Sequence, residues 1–91
     1  MHDIVIIGGG AIGCSIAREL SKYNVDIVVV EKDNDVCSGT SSANSAIVHS
    51  GYDPLPCSEK ARLNVLGNSM FPKLCADLDV HLEMIGSLTV A

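Results

Sequence analysis

The sequence predicts an α/β fold that opens with a βαβ unit, two parallel strands joined by a crossover helix. Three observations carry that expectation. Ile4, Val5, Ile6 and Ile7 form an unbroken β-branched run, the pattern of a strand buried on both faces of a parallel sheet. From Ala11 to Tyr23 the apolar positions Ile12, Ile16, Ala17 and Leu20 recur at helical spacing, with Arg18, Glu19 and Lys22 on the polar side. Val25 and Ile27 to Val30 then repeat the first pattern and end at Glu31 and Lys32. A strand, helix and strand within residues 1–32 form one crossover unit.

The connections follow from the residues between. Gly8, Gly9 and Gly10 stop the first strand, and Asn24 is placed to close the helix. Residues 33–57 change character: Asp33 to Ser45 is small and polar, with a turn at Gly39, then Ile47 and Val48 predict a short strand before a loop carrying Pro54 and Pro56. Ser58 predicts the N-cap of a second helix over 58–79, whose apolar stripe is Leu63, Leu66, Met70, Leu74 and Leu78. Pro72 lies inside that stripe and predicts a kink or a split near Met70. Residues 80–91 read as the start of a further β segment, with short strands at His81 to Ile85 and Leu88 to Ala91 around Gly86 and Ser87. A two-stranded parallel sheet with one crossover helix cannot cover both its faces, and the last residues are apolar. The 91 residues are therefore expected to be the N-terminal piece of a longer protein, with the remainder of its own chain as a packing partner.

Composition narrows the function. Hydrophobic residues make up 47% and charged ones 19%, which excludes a disordered tail. Eleven acidic residues against six basic ones give a net charge of −5, so no basic stripe exists to neutralise a nucleic acid. The apolar run before the glycines is too short for a signal-peptide core or a membrane span, which makes a cytoplasmic protein the expectation. Cys14, Cys37, Cys57 and Cys75 are widely spaced with no C-x-x-C, so no metal site is expected and the thiols read as reduced and mostly buried.

Gly8-Gly9-Gly10-Ala11-Ile12-Gly13 is G-x-G-x-x-G between a predicted strand and a predicted helix. Gly8 permits the sharp turn, Gly10 lets a pyrophosphate approach the backbone, and Gly13 lets helix and strand pack closely. The N–H groups around Ala11 and Ile12 then meet phosphate oxygens at the positive end of the helix dipole. Glu31 closes the second strand, where a carboxylate accepts hydrogen bonds from an adenosine ribose and disfavours a 2′-phosphate. Together these residues predict a Rossmann-like βαβ FAD/NAD(P)-binding half, with NADP the least favoured dinucleotide.

Motif chemistry alone does not separate FAD from NAD; what does is a resemblance carried by Ser38-Gly39-Thr40-Ser41-Ser42-Ala43-Asn44-Ser45-Ala46-Ile47-Val48-His49-Ser50-Gly51, taken with DIVIIGGGAIGCSIAREL, VVVEK and GSLTVA. These stretches resemble the FAD-dependent oxidoreductases of the D-amino-acid-oxidase-like superfamily, within them the glycerol-3-phosphate dehydrogenase and L-2-hydroxyglutarate oxidase branch. The resemblance implies a larger two-domain flavoprotein that oxidises a small hydroxy acid or polyol phosphate by hydride transfer to FAD. It implies that Gly8, Gly10, Ala11, Ile12 and Gly13 hold the pyrophosphate, with Glu31 on the ribose and Lys32 beside the adenine. Thr40, Ser41 and Ser42 would face the pyrophosphate and ribityl chain, and Asn44, Ser45, Ala46 and Ile47 would run along the isoalloxazine ring. Glycerol-3-phosphate members usually carry a basic residue near the position of Asn44, and this stretch has none. Relatives with covalent flavin use a histidine aligned to about Ala43, so the FAD here is expected to be non-covalent.

His49 is the candidate general base of this segment, weighed against a histidine that only positions the loop or flavin. His2 and His81 read as surface residues, Asp33 and Asp35 as a solvated turn, and Cys37 as a small packing residue with no thiol in reach. The base, the anion-binding arginines and the electron acceptor are expected beyond this segment, leaving it inactive on its own. The alternatives are an amine or amino-acid oxidase of the same superfamily and a non-catalytic NAD-binding module.

Overall fold

The computed structural model describes residues 1–90. Its elements run β1 (Ile4–Ile7), α1 (Ala11–Leu20), β2 (Ile27–Val30), a 3-10 turn at Thr40–Ser42 and α2 (Glu59–Leu78). They fall into two compact units, Met1–Ser45 and the residues from Ala46 onwards.

In the first unit β1 and β2 pair in parallel, Ile4 opposite Ile27 through Ile7 opposite Val30. The ladder is closed at both ends. Asp3 N–H and Ile4 N–H donate to the Asp26 carbonyl, Asp26 N–H returns a bond to the Asp3 carboxylate, and Gly8 N–H reaches Val30 O at 2.8 Å. Helix α1 packs against both strands. Ile6 is one of the two buried hydrophobic side chains among the described residues, and Ile4 is half-buried. Val5 and Ile7, on the opposite side of the pleat, are exposed, Ile7 to 88%. Side chains alternate across a strand, and within these residues one helix covers one face of the sheet.

Helix α1 ends at Leu20, not at Tyr23, and Asn24 does not close it. Ser21 is the C-cap, its hydroxyl donating to the Arg18 carbonyl at 2.7 Å. Lys22 and Tyr23 N–H turn to Glu19 and Leu20, and this i to i−3 pattern tightens the chain out of the helix. Val25 stays outside β2 because its N–H bonds back to Tyr23 O.

In the second unit Ser58 caps α2, its hydroxyl accepting the Ala61 N–H at 3.1 Å. Pro72 does not split this helix, which runs unbroken for 20 residues. A proline removes one backbone donor, and the bonds on either side carry the helix past it. The helix stops where Asp79 takes the left-handed conformation (φ 54°), with Val80 N–H bonded to Cys75 O at 2.9 Å.

Two predicted strand regions are not strands. Ile47 and Val48 pair with no strand. Instead the Asn68 amide nitrogen donates to His49 O at 3.1 Å and lies 3.5 Å from Val48 O, so a side chain takes what a ladder would have used. His81 to Ile85 and Leu88 to Val90 likewise form no ladder among the described residues, and Ala91 lies outside them. The cysteines are free thiols, but Cys75 alone is buried; Cys14 and Cys37 are half-buried and Cys57 is exposed.

Candidate functional site

The glycine turn between β1 and α1 is fixed from several sides. Gly8 holds φ +104°, a conformation that glycine adopts without a Cβ clash, and this turns the chain off the strand. Gly9 is buried, its N–H donating to Glu31 Oε2 at 2.7 Å. Its carbonyl accepts the Cys37 N–H at 2.9 Å. Gly10 is the N-cap of α1 and offers no side chain to the orphan N–H groups of the first turn. Gly13 packs against β1 so closely that an added Cβ would lie 1.9 Å from Gly8 O.

The missing cap comes from 30 residues away. The Ser41 hydroxyl accepts the Ala11 N–H at 2.8 Å, so the serine turn sits on the N-terminus of α1. That turn is itself compact. Ser42 N–H and its hydroxyl both donate to Gly39 O, and the Asn44 amide donates to the carbonyls of Thr40 and Ser41 at 3.1 Å each. The structure therefore joins the glycine turn and Ser41, which the sequence places far apart. Thr40 and Ser42 are exposed beside it.

Glu31 leaves β2 and binds two amides, Gly9 N–H through Oε2 and Asp33 N–H through Oε1 at 3.0 Å. The Asp33 amide first, and the Gly9 amide next, hold its carboxyl below the usual carboxylate range. It is therefore ionised at neutral pH and purely an acceptor. Each carboxylate oxygen keeps a second lone-pair direction that a ribose hydroxyl can use. Lys32 is exposed next to it.

The run Asn44, Ser45, Ala46, Ile47 crosses the boundary between the two units. Asn44 and Ser45 end the first; Ala46 begins the second with φ 55°, and Ile47 is exposed. His49 also belongs to the second unit. It is exposed, stands 6.0 Å from the Tyr52 ring, and has its carbonyl held by Asn68. His2 pairs with Asp26 and His81 with Glu83, all exposed. Among the described residues no three histidine, cysteine or acidic side chains are grouped to hold a metal.

Three features escaped the sequence reading. Ser41 as the cap of α1 and Asn68 as the clasp on His49 are long-range contacts with no local signal. The sequence also gave Cys37 no thiol partner, whereas Cys14 converges with it on Gly9 O. The position of Cys14 in the first turn after the glycines was the available hint.

An anionic dinucleotide fits this arrangement. The helix start carries no acidic residue in its first turn and no cap of its own, and a Cβ on Gly10 would meet only the Ser41 hydroxyl, at 3.1 Å. Among known families, that described as DAO, FAD dependent oxidoreductase, matches residues 3–91. A glycerol 3-phosphate dehydrogenase of Caloramator mitchellensis is 55% identical over 91 residues, all of this chain and 19% of that protein. A glycerol 3-phosphate oxidase of Mycoplasma pneumoniae is 44% identical over 70 residues, 77% of this chain and 18% of that protein. A mitochondrial L-2-hydroxyglutarate dehydrogenase of Dictyostelium discoideum is 36% identical over 93 residues, again all of this chain and 21% of that protein. The chain thus spans about a fifth of the length of these curated relatives. Among the described residues no helix is long and apolar enough to cross a membrane.

Proposed function

Because the chain belongs to the FAD-dependent oxidoreductase family, we propose that it is the FAD-binding portion of a longer, two-domain flavoenzyme that oxidises glycerol 3-phosphate. The observation that carries the cofactor site is the Ser41–Ala11 bond, which unites the glycine turn and the serine turn in one place. Gly8, Gly10, Ala11, Ile12 and Gly13 hold the pyrophosphate, the glycines by the turn and the close approach they allow and the start of α1 by its N–H groups and dipole, and Thr40, Ser41 and Ser42 add hydroxyls. Glu31 takes the adenosine ribose and Lys32 lies beside the adenine. Asn44 to Ile47 follow the isoalloxazine ring, and the FAD is held without a covalent bond. Bound there, FAD would supply the acceptor for a hydride from the substrate carbon, and the protein's part is to bind, orient and tune it. His49, clasped by Asn68, positions this segment. The general base and the substrate-binding groups belong to the remainder of the chain. Four free thiols fit a cytoplasmic setting.

The substrate reading rests on the 55% identity to the glycerol 3-phosphate dehydrogenase, against 36% to the L-2-hydroxyglutarate enzyme. One observation favours the second substrate: Ser38 to Gly51 contains no lysine or arginine, and so no fixed positive charge near Asn44. The full-length protein, recorded anaerobically in the visible before and after each compound, decides between them. A flavin band bleached by glycerol 3-phosphate is the expected result, and bleaching by L-2-hydroxyglutarate alone transfers the proposal to that acid. Bleaching by an amine or amino acid instead would reassign the reaction within the family. A protein that stays colourless with added FAD would refute the flavoenzyme reading in favour of a nucleotide-binding module.

A further inference from the structure

The Gly9 carbonyl lies under three donors at once. Besides the Cys37 N–H, the Cys14 sulfur lies 3.4 Å and the Cys37 sulfur 3.6 Å from the same oxygen. One thiol comes from the first turn of α1 and the other from the loop after β2, 23 residues further along the chain. Cys37 reaches this place with φ 57°, a left-handed conformation that a side chain adopts at a cost and that the surrounding contacts hold. Two half-buried sulfurs therefore converge on one atom at the base of the phosphate-binding turn.

We propose that Cys14 and Cys37 are a dithiol site that a peroxide oxidises to an intramolecular disulfide. A metal is the other ligand for paired thiols, but among the described residues no third histidine, cysteine or acidic ligand completes a site. Partial burial first, then the Cys14 thiol and the carboxylates of Asp35 and Glu31, push the Cys37 thiol up, which makes Cys14 the attacking sulfur and Cys37 the resolving one. The Cys14 thiolate attacks one oxygen of the O–O bond, forming a sulfenic acid and releasing hydroxide, which leaves as water with the thiol's proton. The Cys37 sulfur displaces the sulfenic hydroxyl, which leaves as a second water with the Cys37 proton. Two thiols lose two electrons and the peroxide gains them. The bond takes both S–H donors from Gly9 O and ties the loop after β2 to the first turn of α1. This site is independent of the flavin reading.

The test uses the reduced full-length protein, treated with hydrogen peroxide, capped with N-ethylmaleimide, digested and weighed. The expected product is a peptide pair joining Cys14 to Cys37, lighter by two hydrogens and separated by dithiothreitol. Cys14→Ser should abolish it and leave Cys37 open to capping or over-oxidation, and since serine can still donate to Gly9 O the variant should keep its circular dichroism. Exposed Cys57 is the internal standard. Cys14 and Cys37 both capped as free thiols at a peroxide dose that has oxidised Cys57 would overturn the proposal. So would linkage of either one only to another cysteine.

Discussion

Replacing Gly13 by alanine would set a Cβ 1.9 Å from Gly8 O, 3.1 Å from Gly8 C and 3.4 Å from the Ile6 side chain. Contacts below 3.0 Å are essentially unknown for real Cβ atoms, so helix and strand must part by about 1.1 Å. Neither side can yield by rotating a side chain. The obstacle is backbone, and Gly8 is anchored by its 2.8 Å bond to Val30 O. Overpacking of this kind costs about 1–3 kcal/mol, with the upper end expected for a backbone clash. Alanine returns about 1 kcal/mol of helix propensity. The net loss of about 2 kcal/mol lowers the folding equilibrium about 30-fold. Gly67→Ala is the control, because it lies inside α2 with nothing within 4 Å of its added Cβ. It should gain up to about 1 kcal/mol. Urea midpoints of the two variants of the full-length protein should therefore move in opposite directions. Equal shifts of the same sign would refute the argument that close helix–strand approach, not helix propensity, selects glycine at position 13.

Glu31→Ala should weaken FAD retention without abolishing folding; unchanged flavin content would remove Glu31 from the ribose site. The lowered pKa of Glu31 also sets a pH dependence. Its contribution is complete above the ordinary glutamate pKa of about 4.3 and is lost as pH falls through the lower folded value, so Glu31→Gln should flatten the acid limb of stability below about pH 4.3. A denaturant midpoint series over that range checks the sign, and a steeper limb in the variant would contradict it. Ser41→Ala and Ser58→Ala each remove the one side-chain cap of a helix and should each cost about 1 kcal/mol. A loss at Ser58 but none at Ser41 would show that the long-range cap contributes nothing to α1.

Local rules made much of this chain legible before its structure. The β-branched runs, the glycine turn and the apolar spacing after it place β1, α1 and β2 in order, because each depends on neighbours within a few residues. Ser58 as a cap is local in the same sense. Local signals failed where a partner decides the outcome. Ile47 and Val48 have strand-forming side chains, but a strand exists only where another chain segment shares its backbone bonds, and here the Asn68 side-chain amide donates to the adjoining His49 carbonyl instead. Pro72 looked like a breaker because one missing bond is visible in sequence while the intact bonds around it are not.

The sequence by itself determined the order of elements and the residue types at the candidate site: glycines for close approach, a carboxylate at the end of β2, hydroxyls after Gly39. Only the tertiary structure decided which of them meet. It brought Ser41 to Ala11, Glu31 to Gly9 and Cys37 to Cys14. Those meetings depend on how the loop after β2 folds back over the helix start. That path is fixed by the summed contacts of residues far apart in the chain, which no local pattern records.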